Sequence, residues 1–335
     1  MTKTAAPMTS GSIWKQMTFF AMPIFLGNLF QQLYNTVDSL IVGNFLGSSA
    51  LAAVSSSGSL IFMLIGFLSG ISAGAGVIVA RFFGAGDEKN LQRAVHTTVA
   101  FGLVAGVLMT GVGVALSPQI LRWMHTPESV MRESVTYLQI YFAGSLGFVM
   151  YNVLVGILQA VGDSRHPLYY LIVSSVINLV LDLLFITGFH TGVGGAAVAT
   201  VISQIVSALL CFWQLLRTKE SYGLKIRKIR FDKGILVQII KIGLPSGVQN
   251  SIIAFANVIV QSNINAFGEM AMAGYGAYTK VEGFGFLPIN SFTMALTTFV
   301  GQNLGAKQEE RTRKGARFGI LAAVILAELI GVVVF

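Results

Sequence analysis

The stretch MPIFLGNLFQQLYNTVDSLIVGNFL, from Met22 to Leu46, sets the architecture of this chain. It reads as an apolar helix of membrane-spanning length, which takes about 20 residues at a rise of about 1.5 Å each. Yet it carries Asn28, Gln31, Gln32, Tyr34, Asn35 and Asp38. A carboxylate inside a membrane span costs roughly 2.5–3.5 kcal/mol on insertion scales. Asp38 is therefore expected to face a polar interior or a partner, which the rest of the chain must supply.

The chain's 335 residues are 54% hydrophobic and 11% charged. Ordinary soluble domains carry about 25% charged residues. The sequence reads as an all-α polytopic membrane protein. A membrane β-barrel would show segments of about ten residues with alternating polarity, and none occurs. Nine apolar segments are expected, at about 17–43, 51–80, 94–117, 134–159, 167–188, 194–216, 236–265, 270–300 and 316–335. Pro23, Pro245 and Pro288 fall in or near helices, where they kink or interrupt hydrogen bonding. Gly70, Gly74 and Gly76 suit close helix packing. The single cysteine, Cys211, excludes an intrachain disulfide. The first apolar run is too long for a cleavable signal and lacks a small-residue cleavage site.

The net charge of +8 is a topology signal, not a nucleic-acid footprint. With the N-terminus in the cytoplasm, the external loops keep only Arg122 and Arg132, Lys241 and Arg317 count with the cytoplasmic ends of their spans, and Lys280 alone lies deep inside one. The expected location is the inner (cytoplasmic) membrane. The largest basic cluster, Arg217 to Lys233, reads as an inside anchor; contact with anionic lipid is the other reading.

That loop separates two related halves. Pro23, Asn28 and Asn35 match Pro245, Asn250 and Asn257 at a constant offset. One residue of slippage later, Gly47, Ala50 and Ala52 match Gly268, Ala271 and Ala273, and Gly84, Ala85 and Glu88 match Gly305, Ala306 and Glu309. Both copies start inside, so the repeat is parallel, as in transporters whose two lobes rock about a central cavity. The expected division is a six-helix lobe over 1–222, an inter-lobe loop over 223–235, and the first part of a second lobe over 236–335. The second copy stops within its third helix, so about nine of twelve helices are expected here.

Asp38, Asp182, Lys280, Glu282 and Glu328 are acids and a lysine inside the expected spans, away from their cytoplasmic ends. Asn178 and Asp182 are four apart and share a helix face. Asp38, Asp182 and Thr200 lie at similar depths from the outer ends of their helices, which fits a single cluster. Carboxylates, an amide and a hydroxyl offer oxygen ligands for a proton or a hard monovalent cation such as Na⁺. Two adjacent carboxylates cannot both ionise cheaply, and their protonation is coupled. The competing readings are an interhelical network that only locks the lobe and, for Thr200, back-bonding to its own helix. Lys280 and Glu282 either line a cavity that binds charged cargo or pair with other helices. His96, His125, His166 and His190 read as interfacial. There is no HExxH, P-loop or CxxC, and the one GxSxG pattern, Gly70 to Gly74, lies in the glycine-rich stretch inside a span and reads as a packing feature, so no enzyme is expected, and an ion gradient is the remaining energy source.

These features resemble the multidrug and toxic compound extrusion (MATE) transporters along the whole chain. The residues that carry the resemblance are Pro23 with Gln31 to Asp38 (QQLYNTVD), Arg81 to Gly86 (RFFGAG) and Leu158 to Asp163 (LQAVGD). Asn178 to Asp182 (NLVLD), Gly195 to Thr200 (GAAVAT) and Phe299 to Ala306 (FVGQNLGA) complete the set. The resemblance implies two six-helix lobes in a V around a cavity. It also implies export of organic, often cationic and amphipathic, compounds in exchange for H⁺ or Na⁺. In the DinF-like branch it implies a first-lobe ion site at Asp38, Asn178, Asp182 and Thr200. Tyr34, Gln31 and Asn35 then become cavity candidates, Pro23 a hinge, and the protein a monomer in lipid. The NorM-like branch has an acid in the seventh helix, but Pro245 to Ile264 contains none. The rival is a lipid-linked precursor flippase of the same broad superfamily, which would want a strongly cationic cavity.

Overall fold

The computed structural model describes residues 7–124, 126–265, 267 and 269–334, without the side chains of 48, 49, 51–53, 55–65, 258, 261, 262, 265, 269–273, 276, 277, 280, 281, 333 and 334. Ten α-helices follow in order: α1 (Ile13–Leu46), α2 (Ser48–Gly84), α3 (Glu88–Trp123), α4 (Glu128–Ala143), α5 (Ser145–Ala160), α6 (Arg165–Leu183), α7 (Gly192–Arg217), α8 (Lys233–Asn265), α9 (Glu269–Gly305) and α10 (Glu309–Val334). Seven of these are long and apolar enough to cross a membrane, or eight spans if α4 and α5 count as one. α1 is not among them, because the polar residues of Met22 to Leu46 dilute its hydropathy. This is an all-helical membrane protein.

The expected fourth segment, 134–159, is two helices bent by 48°. The break falls at Gly144, where a Cβ would lie 2.3 Å from Val201 Cγ1 on α7. α7 therefore leaves no room for a side chain at the break, a constraint that hydropathy does not record. Pro23 sits inside α1, which runs through it as one element.

Close packing, not escape from water, binds helices in lipid. α2, α3, α5 and α7 share a core containing Ile78, Val79, Leu91, Leu154, Leu158 and Leu215. Val107 and Leu108 of α3 are 60% and 61% exposed, as a lipid-facing surface requires. Gly70 and Gly74 of α2 let α8 approach until a Cβ at either would meet the backbone of Gly247 or Gly243 at 2.2 and 2.4 Å. Gly76 makes only ordinary contact, 3.7 Å from Gly156 O.

The two halves meet reciprocally. A Cβ on Gly84 would lie 1.9 Å from Gln302 O, and one on Gly305 would lie 1.9 Å from Arg81 O. The offset that relates Gly84 to Gly305 also relates Arg81 to Gln302. Each half therefore presents the same pair of residues to the other, as a two-fold arrangement demands. The repeat-related Asn28 and Asn250 behave alike: Asn28 donates to Ser291 Oγ at 3.1 Å on α9, and Asn250 donates to Gly66 O at 3.0 Å on α2. Of the other matched positions, Gly268 lies outside the described residues, as do the side chains of Ala52, Ala271 and Ala273. At the Gly84–Gly305 end, the Met8 N–H donates to Gln302 Oε1 at 2.7 Å, and Gln302 Nε2 donates to Ala160 O at 2.8 Å.

Candidate ion-binding site

Two helices bring the acids together. α1 carries Asp38, and α6 carries Asn178 and Asp182 one turn apart, 1% and 0% exposed. The carboxyl groups of Asp38 and Asp182 lie within hydrogen-bonding reach of each other. They flank a pocket of about 240 Å³ lined also by Tyr34, Ser175, Asn178 and the apolar Phe30, Leu33 and Val37. Past Asp182 the helix widens into a π-helical turn, Leu184–Gly188. Such turns arise where the regular ladder is interrupted, often at functional positions.

The donor balance of this site is unusual. Asp38 Oδ1, both oxygens of Asp182 and Gln204 Oε1 are buried with no hydrogen-bond partner. Buried acceptors without donors are costly. Two facing carboxylates cannot satisfy each other unless a proton or a cation sits between them. The oxygen-rich set therefore fits a proton or a hard monovalent cation. Asn178 Nδ2 is also without a partner, so rotating its amide would offer an oxygen to the same ion.

The other expected residues sort differently. Thr200 is buried, but its hydroxyl donates to Ala196 O at 3.1 Å in its own helix, and it does not line the pocket. Gln31 and Asn35 are on α1 outside the pocket lining, and Asn35 is exposed. Glu282 on α9 accepts from the Tyr278 hydroxyl at 3.3 Å. The side chain of Lys280 lies outside the described residues, as does His125. Glu328 is exposed on α10. His96 is 3% exposed and bonded at both ring nitrogens.

Two further side chains lie near the acids: Gln204, which the sequence shows only as a polar residue beside Thr200 and Ser203, and Tyr137, which it does not single out. Gln204 of α7 reaches the Tyr34 hydroxyl with its amide. Tyr137 of α4 lies within electrostatic range of Asp38, Tyr34 and Asp182, and its ring stacks on Tyr141 with centroids 6.4 Å apart. The signal available in sequence was the four-residue spacing of Tyr137 and Tyr141, which puts both on one helix face.

Residues 23–184 and 245–335 match the MatE family. The chain is 32% identical over 331 residues to "Probable multidrug resistance protein YoeA" of Bacillus subtilis, covering 97% of this chain and 72% of that protein. It is 26% identical over 333 residues to "Probable multidrug resistance protein NorM" of Thermotoga maritima, covering 96% and 70%. Among solved structures it is similar to one described as an outward-facing conformation of a multidrug resistance MATE family transporter of the MOP superfamily. The TM-score is 0.90 at 26% identity, over 97% of this chain and 72% of that one.

Proposed function

The chain belongs to the MatE family of transporters, and we propose that it exports organic, often cationic and amphipathic, compounds in exchange for H⁺ or Na⁺, as a DinF-like member. The observation that carries this reading is the facing Asp38–Asp182 pair without donors, beside Asn178. The absence of an acid between Pro245 and Ile264 supports the branch.

In this reading the lobes are 1–222 and 236–335, joined by the 223–235 loop, with the N-terminus cytoplasmic. Arg81, Arg165, Lys307 and Arg311 cluster in sequence around the ends of α2, α5 and α9 that meet at Gly84 and Gly305. By the positive-inside rule that closed end faces the cytoplasm. The conformation is then outward-facing, in keeping with the similarity to an outward-facing transporter.

From outside, a proton or Na⁺ reaches Asp38 and Asp182 and removes their mutual repulsion. α1 and α6 then draw together, with Pro23 as the weak point of α1. Cargo held along the Tyr34 face is released outward, and the unloaded halves reverse. The ion drives this only because it binds one state better than the other. Thr200 stands at the margin of the ion site, and Gln31, Asn35, Lys280 and Glu282 are left to the cargo path.

The test is efflux of a fluorescent organic cation from proteoliposomes under an imposed pH gradient and then a sodium gradient. Wild type should respond to at least one, and Asp38→Asn should abolish the response while keeping its melting transition. Normal efflux by the variant, or no response of wild type to either gradient, would overturn the reading.

A further inference from the structure

A second, strongly basic pocket of about 500 Å³ lies between the start of α3 and the 225–232 linker that leads into α8. Five cations line it, Lys89, Arg93, Arg227, Lys228 and Arg230, with one carboxylate, Asp232. We propose that this pocket binds the phosphate of an anionic phospholipid headgroup.

The linker is built onto α3, not draped over it. His96 Nδ1 lies 2.6 Å from Gln92 O, and its Nε2 lies 3.0 Å from the Lys225 N–H and 3.1 Å from Lys225 O. The next residue, Thr97, accepts the Asp232 N–H through its hydroxyl at 3.1 Å. Gln92 Nε2 donates to Gly223 O at 3.0 Å. These bonds fix the basic residues around a concavity before any ligand arrives.

Asp232 cannot neutralise the group. One of its oxygens pairs with Arg93 Nε at 3.2 Å, and the other accepts the Ile235 N–H at 3.1 Å, capping α8. Among the described residues, Arg227, Lys228 and Arg230 form no ion pair. Fixed like charges around one cavity repel each other unless an anion enters. Guanidinium groups match the planar, bidentate geometry of phosphate oxygens.

Position favours a lipid. α3 and α8 start at Glu88 and Lys233 with polar residues and turn apolar at about 94 and 236, so the pocket lies at the polar ends of two helices long and apolar enough to cross a membrane. That is the level of headgroup phosphates, where basic side chains attract acidic lipids.

The test is native mass spectrometry of the full chain in detergent, titrated with phosphatidylglycerol, phosphatidylcholine or inorganic phosphate. Phosphatidylglycerol should bind in preference to phosphatidylcholine. The double variant Arg227→Gln/Arg230→Gln should weaken that binding by roughly thirtyfold, the effect of two membrane-facing cations. Both side chains are exposed, so the variant should melt like wild type. Lys314→Gln, a neutralisation on α10 far along the chain, should leave binding unchanged. Equal binding of the two lipids, or equal loss in the Lys314 variant, overturns the proposal. Binding of inorganic phosphate without phosphatidylglycerol overturns the lipid assignment and leaves a site for soluble phosphate.

Discussion

Asp182 is the residue on which the site turns, because both of its oxygens are buried and neither meets a donor. Replacing it by asparagine would supply an N–H to Asp38 without a charge. The variant imitates the protonated pair permanently, so Asp182→Asn should melt at or above the wild-type temperature, since interhelical hydrogen bonds in lipid are worth about 0.6 kcal/mol. Its gradient-driven efflux should fall by roughly tenfold or more, because an ion that no longer distinguishes the two states shifts nothing. Unimpaired efflux would mean that the pair is only a structural tie. Thr200→Ala should change efflux by less than about threefold, because its hydroxyl already bonds within its own helix. A larger loss would return Thr200 to the ion's ligands. Asp38, Asn178 and Asp182 were legible from the sequence because a carboxylate in an apolar helix is conspicuous and helical spacing fixes relative depth. Tyr137 was not, because its approach to Asp38 is made only in the folded bundle, and neither was the contact of Gln204, a polar residue visible beside Thr200 and Ser203, with Tyr34. An aromatic ring or an amide in an apolar run carries no comparable mark.

The elements followed hydropathy closely except at the α4–α5 bend. There the sequence offers a glycine, but the chain has 37 of them, so glycine alone does not say where a helix breaks. The need for glycine at this break is tertiary, Val201 lying where a Cβ on Gly144 would go. Gly144→Ala should therefore destabilise the protein by about 1–3 kcal/mol, the usual cost of overpacking. Val201→Ala added to it should recover part of the loss, because it removes the methyl contacts at 2.3 and 2.4 Å and leaves the one to Cβ at 2.9 Å. A thermal melt of the single and double variants in detergent decides it; equal destabilisation in both would place the need for glycine elsewhere. The linker after α7 teaches the same lesson. Its basic residues were plain in the sequence and read as an anchor, but their gathering around a cavity depends on His96 and Thr97, which are separated from it by more than a hundred residues.

At the scale of the whole molecule, the repeat read from a handful of matched residues has a physical counterpart in the crossed contacts at Gly84 and Gly305. Matched glycines are needed there because two backbones meet with no room for a side chain. The offset was visible in sequence, but the partners were not, since each copy's glycine serves the opposite half. Alternating access requires this seal to part. Ala80, one turn before Gly84, is fully buried, and a Cβ on Gly301 would lie 3.0 Å from its own Cβ. Cys211 is buried as well, so a cysteine introduced at position 80 would be the reporter of a maleimide reaction. Ala80→Cys should be nearly inert while the ion gradient is absent and the closed end persists. During gradient-driven efflux it should react at least about tenfold faster, because reactivity follows the population of the opened state. In an Asp38→Asn background the acceleration should disappear, since the ion can no longer bias the halves. Equal labelling with and without turnover would mean that α2 and α9 stay joined throughout transport, and that the moving boundary lies elsewhere in the bundle.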